Sequence, residues 1–108
     1  MNWTENPDFQ EGAQKMAKEL KEDMVGYIYT HFKGGRYIVR DIAIHSETCD
    51  ALVIYSNFDN PTNTWARPLK MFLSPVDKEK YPEATQETRF EKRRQATEWI
   101  RHRRIYND

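Results

Sequence analysis

The stretch His31-Phe32-Lys33-Gly34-Gly35-Arg36-Tyr37 decides the fold. Before it, Val25, Tyr27, Ile28, Tyr29, Thr30 and Phe32 are β-branched or aromatic. After it, Tyr37-Ile38-Val39-Arg40-Asp41-Ile42-Ala43-Ile44-His45 has the same character over a longer run. Two strand-like segments joined by paired glycines predict a β-hairpin, because glycine reaches the positive φ that a tight turn needs.

Working outward, Ser46-Glu47-Thr48-Cys49-Asp50 is a second polar turn. Ala51-Leu52-Val53-Ile54-Tyr55 is a short apolar strand, expected at the centre of a sheet. Asn57 to Thr64 is rich in turn formers and predicts a loop. Trp65-Ala66-Arg67 reads as a further strand ended by Pro68. Leu69 to Leu73 predicts one helical turn that plugs the end of a barrel.

Upstream, Asn6-Pro7-Asp8 is a helix start: Asn caps, Pro suits the first turn, and an acid favours the positive end. Phe9, Ala13, Met16, Ala17, Leu20 and Met24 follow at helical spacing, predicting an amphipathic helix over 7–22. Downstream, 74–84 is a Pro-containing connector. Thr88 and Glu91 have capping-box spacing, and Ala96, Trp99, Ile100 and Tyr106 share one side of a basic C-terminal helix expected over 85–106. The class is therefore α+β: one domain over 1–108, with a small antiparallel β-barrel or strongly bent sheet (25–73) flanked by an N-terminal and a C-terminal α-helix.

The chain has 108 residues, enough for one modest core without obligatory staples. Fourteen aromatics separate it from disordered chains. Net charge is zero, 17 basic against 17 acidic, which argues against a globally basic nucleic-acid binder. Charge is nevertheless uneven. Residues 1–24 carry three Lys against six acids, net −3; residues 85–108 carry seven Lys/Arg against four acids, net +3. The lone Cys49 excludes an internal disulfide. Met1-Asn2-Trp3-Thr4-Glu5 is not basic and no apolar run follows, so neither a signal peptide nor a membrane partner is expected. A cytoplasmic protein is the expectation.

Four blocks carry a resemblance: His31-Phe32-Lys33-Gly34 with Tyr37; His45-Ser46-Glu47-Thr48; Val53-Ile54-Tyr55; and Trp65-Ala66-Arg67-Pro68-Leu69-Lys70-Met71-Phe72. In order and at compatible spacing, residues 27–73 resemble a bacterial and phage domain family of uncharacterised function. Its signature is H-[YF]-K-G-x-x-Y, H-S-E-T, V-[VI]-Y and W-x-R-P-L-x-M-F. Arg89-Phe90-Glu91 resembles the family's usual ending. Two positions depart from the pattern: Ile44 stands where Arg usually precedes H-S-E-T, and Phe58-Asp59-Asn60-Pro61 replaces a loop that usually carries Tyr-Gly. The resemblance implies an SH3-like β-barrel and brings no known activity.

Several chemistries can be weighed on these residues. His31, His45, Glu47 and Cys49 offer zinc-type donors, but His45-x-Glu47-x-Cys49 has no second ligand pair at standard spacing, so no metal is expected. Ser46 lies beside His45 and Glu47, but strand neighbours face opposite ways, so no triad and no catalytic residue is predicted. Lys33-Gly34-Gly35-Arg36 exposes N–H groups beside two cations, a form that can hold an anion without being a P-loop. Tyr37, Tyr55 and Trp65 lie on strands, with His31, Lys33, His45, Glu47, Thr48 and Arg67 on or near strand ends. Aromatic rings to stack on, cations for phosphate and polar groups for ring edges suit a nucleotide-like ligand.

The leading expectation is a non-catalytic binding module for a small anionic, nucleotide-like molecule, sensing or sequestering it, with a homo-oligomer and no cofactor. The alternatives are two. One is a nucleic-acid or protein interaction module using Arg93, Arg94, Arg101 and Arg104 on the basic helix. The other is an enzyme on a nucleotide-like substrate with His45 as base.

Overall fold

The structure, a computed structural model, describes residues 7–96, with only the backbone of Pro7, Asp8 and Phe9. Helix α1 spans Pro7–Met24. Of its periodic positions, Ala17 and Met24 are buried and Leu20 packs against the same core, whereas Met16, expected on the same face, is exposed. The helix lies on the second strand, where Lys21 meets Asp41 at 3.5 Å.

Five strands follow: β1 (Tyr27–His31), β2 (Arg36–Ile44), β3 (Ala51–Asn57), β4 (Thr64–Pro68) and β5 (Phe90–Gln95), with the short helix α2 (Leu69–Phe72) after β4. They form one antiparallel sheet in the order β4-β3-β2-β1-β5. The first hairpin pairs Tyr29 with Tyr37, as the glycines predict. The sheet is open, because its edges β4 and β5 do not pair with each other. It is nevertheless strongly bent. β2 has a bulge at Arg40 and β5 one at Arg93, and bulges increase local twist and bend a strand.

The core lies in the concavity, under α1 and α2. Phe72 of α2 is fully buried, stacked on Phe90 of β5 at 4.2 Å and edge-on to Tyr29 and Tyr55 at 5.2 and 5.4 Å. The predicted helical turn is present and fills the core of the open sheet. A smaller cluster of Ile28, Ile38 and Ala96, with Phe58 against it, covers the opposite face.

The C-terminal segment corrects the sequence reading. Phe90–Gln95 is a strand, not the start of a helix. The capping-box residues serve a turn instead: Thr88 Oγ1 donates to the Phe90 carbonyl at 2.7 Å, and the Glu91 carboxylate accepts the Glu87 N–H at 3.2 Å. Pairing with β1 satisfies that strand's outer row of backbone groups, and Phe90 gains a place in the core. The rest of the expected helix, including Trp99, Ile100, Arg101, Arg103, Arg104 and Tyr106, lies outside the described residues. Among the described residues, no helix is long and apolar enough to cross a membrane.

Candidate functional site

The turn Phe32–Gly35 closes the first hairpin with Gly34 at φ +105° and Gly35 at φ +95°. The Gly34 N–H donates to the His31 carbonyl and the His31 N–H to the Gly35 carbonyl. The Lys33 N–H donates to His31 Nδ1 at 3.1 Å. With Nδ1 an acceptor, the neutral imidazole carries its proton on Nε2. The ring is further held by Phe32 and Phe90, with centroids 4.7 and 4.8 Å away.

Beside His31, three strands present aromatic rings. Tyr37 of β2 meets Tyr55 of β3 at 5.7 Å and Trp65 of β4 at 5.9 Å, and Tyr55 meets Trp65 at 5.7 Å. Cross-strand pairing of Tyr55 with Trp65 sets that arrangement. Tyr55 is buried, whereas Trp65 on the edge strand is 43% exposed. With His31, Arg67 and Phe90 these rings line a compartment of about 170 Å³.

A second compartment of about 450 Å³ shares His31 and Arg67 with the first and is lined also by Phe32, Lys33, Asp77, Lys80, Tyr81 and Arg89. The segment between α2 and β5, which extends the connector to Arg89, supplies half of it. The connector is docked by the Pro75–Thr88 bridge, by buried Val76, and by Gln86, whose amide donates to the carbonyls of Thr30 and Thr88 and accepts from Thr30 Oγ1. Phe32 and Tyr81 pack edge to face at 5.0 Å, with the Lys33 ammonium 4.8 Å from the Tyr81 ring centre.

The charges in this cleft are lopsided. Lys33, Arg67, Lys80 and Arg89 face one carboxylate, Asp77. The salt bridges among the described residues engage Lys21, Arg36, Lys78, Lys92 and Arg93, and none of those four. Asp77 is engaged locally, its Oδ1 accepting the N–H groups of Glu79 and Lys80. Two titrating groups register the field. Burial, followed by the charges of Arg67, Lys33 and Arg89, lowers the His31 pKa from its usual 6.5. The hydrogen bond from Lys33, and then the charges of Lys33 and Lys80, lower that of Tyr81 against an opposing effect of desolvation.

Of the residues singled out in the sequence, His31, Lys33, Tyr37, Tyr55, Trp65 and Arg67 are brought together here. His45, Glu47 and Thr48 are not. They belong to the β2–β3 turn, at the other end of nine-residue β2, up to ~30 Å of strand from the first turn. His45 Nδ1 accepts the N–H groups of Glu47 and Thr48 at 3.1 and 3.2 Å, and Thr48 Oγ1 accepts that of Asp50. The H-S-E-T block therefore builds a turn, which carries Cys49 at φ +62°.

Arg36 also leaves the glycine turn to pair with Asp59. Of the basic residues assigned to the C-terminal helix, Arg93 and Arg94 lie on β5. Arg93 donates to Thr30 Oγ1 and approaches Glu91 at 3.7 Å. Among the described residues, no three His, Cys, Asp or Glu side chains gather closely enough to hold a metal ion.

Sequence reasoning missed Phe32, Asp77, Lys80, Tyr81, Arg89 and Phe90 as cleft residues. For Arg89 and Phe90 a signal existed in the Arg89-Phe90-Glu91 block. For Lys80 and Tyr81 none did, since the connector is placed by tertiary docking.

No curated protein matches this chain. Among solved structures, the crystal structure of a DUF1653 protein from Bordetella bronchiseptica is similar, with 25% identity and a TM-score of 0.50 over 64% of this chain and 86% of that one. Residues 27–92, which run from the start of β1 into β5 and include the whole cleft, match the family described as "Protein of unknown function (DUF1653)". That is more than half of the chain, which therefore belongs to the DUF1653 family.

Proposed function

We propose that the protein is a binding module for a small anionic, nucleotide-like ligand, held in the cleft between the first hairpin, β4 and the connector. The observation that carries this reading is the set Lys33, Arg67, Lys80 and Arg89, four cations without a carboxylate partner among the described residues. Like charges kept together cost stability unless a counter-charge arrives. Two of them are arginines, whose planar forks suit phosphate oxygens. The adjoining rings of Tyr37 and Trp65 offer faces for a heteroaromatic group. Both compartments together fall in the ~300–1,000 Å³ range of small-molecule sites. In this reading the bent sheet works as an SH3-like half-barrel whose mouth is the cleft, and a cytoplasmic setting supplies the ligand.

Native mass spectrometry of freshly purified protein, followed by denaturation and identification of what is released, tests the proposal. The expected result is a retained phosphate-bearing small molecule, lost from Arg67→Met, which keeps the aliphatic packing on Phe90. A ligand-free wild-type protein that also ignores nucleotides in titration, or one that binds single-stranded oligonucleotide with steep salt dependence instead, overturns it.

A further inference from the structure

We infer that the ligand is a nucleoside diphosphate, with its base on Trp65 and Tyr37 and its two phosphates among Lys33, Arg67, Lys80 and Arg89. The inference rests on the reading above and narrows it to a substrate class.

The first argument is charge. Four cations against Asp77 leave the second compartment at a net +3 with His31 neutral. A nucleoside diphosphate carries about −3 at pH 7, since its terminal phosphate has a second pKa near 6 and its inner phosphate one full charge. A monophosphate leaves part of the positive charge unmatched.

The second argument is spread. The four cations come from three separate segments: the β1–β2 turn, β4 and the stretch between α2 and β5. They line about 450 Å³, several times the volume that one phosphate group fills.

The third argument is the division of the cleft. The compartment of about 170 Å³ is walled mainly by the rings of Tyr37, Tyr55, Trp65 and Phe90, which suit one planar ring system. His31 and Arg67 line both compartments. They stand where the sugar and the first phosphate join the two ends of such a ligand. The Nε2–H of His31, set by the backbone hydrogen bond to Nδ1, is a donor suited to that junction.

The test is isothermal titration of the full chain with adenosine and uridine, their mono- and diphosphates, and inorganic pyrophosphate. The nucleoside diphosphates are expected to bind about tenfold more tightly than the monophosphates. Trp65→Ala is expected to weaken a diphosphate about tenfold, the scale of one base–aromatic stack, with pyrophosphate little changed. Lys80→Gln with Arg89→Gln is expected to erase the difference between mono- and diphosphates; circular dichroism verifies that both variants fold.

Equal affinity for mono- and diphosphates overturns the inference and leaves the broader reading standing. Pyrophosphate binding as tightly as the nucleoside diphosphates overturns the assignment of the ring compartment. Failure of every nucleotide to bind overturns both.

Discussion

The guanidinium of Arg67, on β4, lies 5.4 Å from the ring centre of Phe90, on β5, although these strands are opposite edges of the sheet. Four strand spacings of ~4.8 Å would hold the edges of a flat sheet about 19 Å apart. The contact therefore measures how far the sheet curls. It also joins core to cleft, because Phe90 stacks on buried Phe72 with one face of its environment and lines the ring compartment with another.

Phe90→Ala should accordingly be severe. It removes the stack on Phe72 and the edge contacts to Tyr37, Tyr55 and His31. A large-to-small change at such a site costs about 3–5 kcal/mol, which urea denaturation reads directly. A loss below about 1 kcal/mol would mean that the edges are not held together by this ring.

His31 predicts a pH dependence. Its pKa is lowered in the folded state, by burial first and then by neighbouring cations, from the 6.5 of the unfolded chain. Between those two values the unfolded state binds more protons, so stability rises with pH. The His31 contribution is complete above 6.5 and is lost as pH falls through the lowered folded value. His31→Asn, which can still accept the Lys33 N–H, should flatten the dependence. An anion in the cleft favours the charged imidazole, so anion affinity should rise as pH falls through the same range. Urea midpoints and titrations at several pH values check both.

How much of this was legible depends on whether a signal was local. The first hairpin was, because Gly34-Gly35 dictates its turn. So was α1, whose apolar spacing matches the face it buries. Strand β5 was not. In Phe90-Glu91-Lys92-Arg93-Arg94-Gln95 only Phe90 is buried, and the strand exists because β1 has an open edge to pair with.

The cleft divides the same way. His31, Trp65 and Arg67 could be singled out as chemistry-bearing residues, but the length of β2 carries His45 away from them. The connector brings in Lys80 and Tyr81 because Gln86, beyond it, docks on Thr30, a residue far away in sequence.

The glycine turn gives a third prediction. A Cβ at Gly35 would sit 3.3 Å from the Tyr37 ring, on a residue at φ +95°. Gly35→Ala should cost about 1–2 kcal/mol from backbone strain alone, with a further loss as Tyr37 shifts. At Gly34 the added methyl meets nothing within 4 Å, leaving only the strain of φ +105°. Gly35→Ala should therefore be the worse of the two in denaturation, and it alone should weaken ligand binding through Tyr37. Equal effects would mean that the Tyr37 contact is without consequence.

The second histidine separates structure from binding. His45 accepts two backbone N–H groups of its own turn and lines neither compartment of the cleft. His45→Ala strands both donors on a half-exposed turn and should cost about 1 kcal/mol, the usual net worth of such a bond. His45→Asn, whose side-chain oxygen makes the same kind of turn, should recover most of the loss. Both variants should bind the cleft ligand as wild type does under conditions where they are folded. Their affinities, set beside those of Arg67→Met, decide the matter. Loss of binding in His45→Asn with stability intact would place the H-S-E-T turn in the site after all.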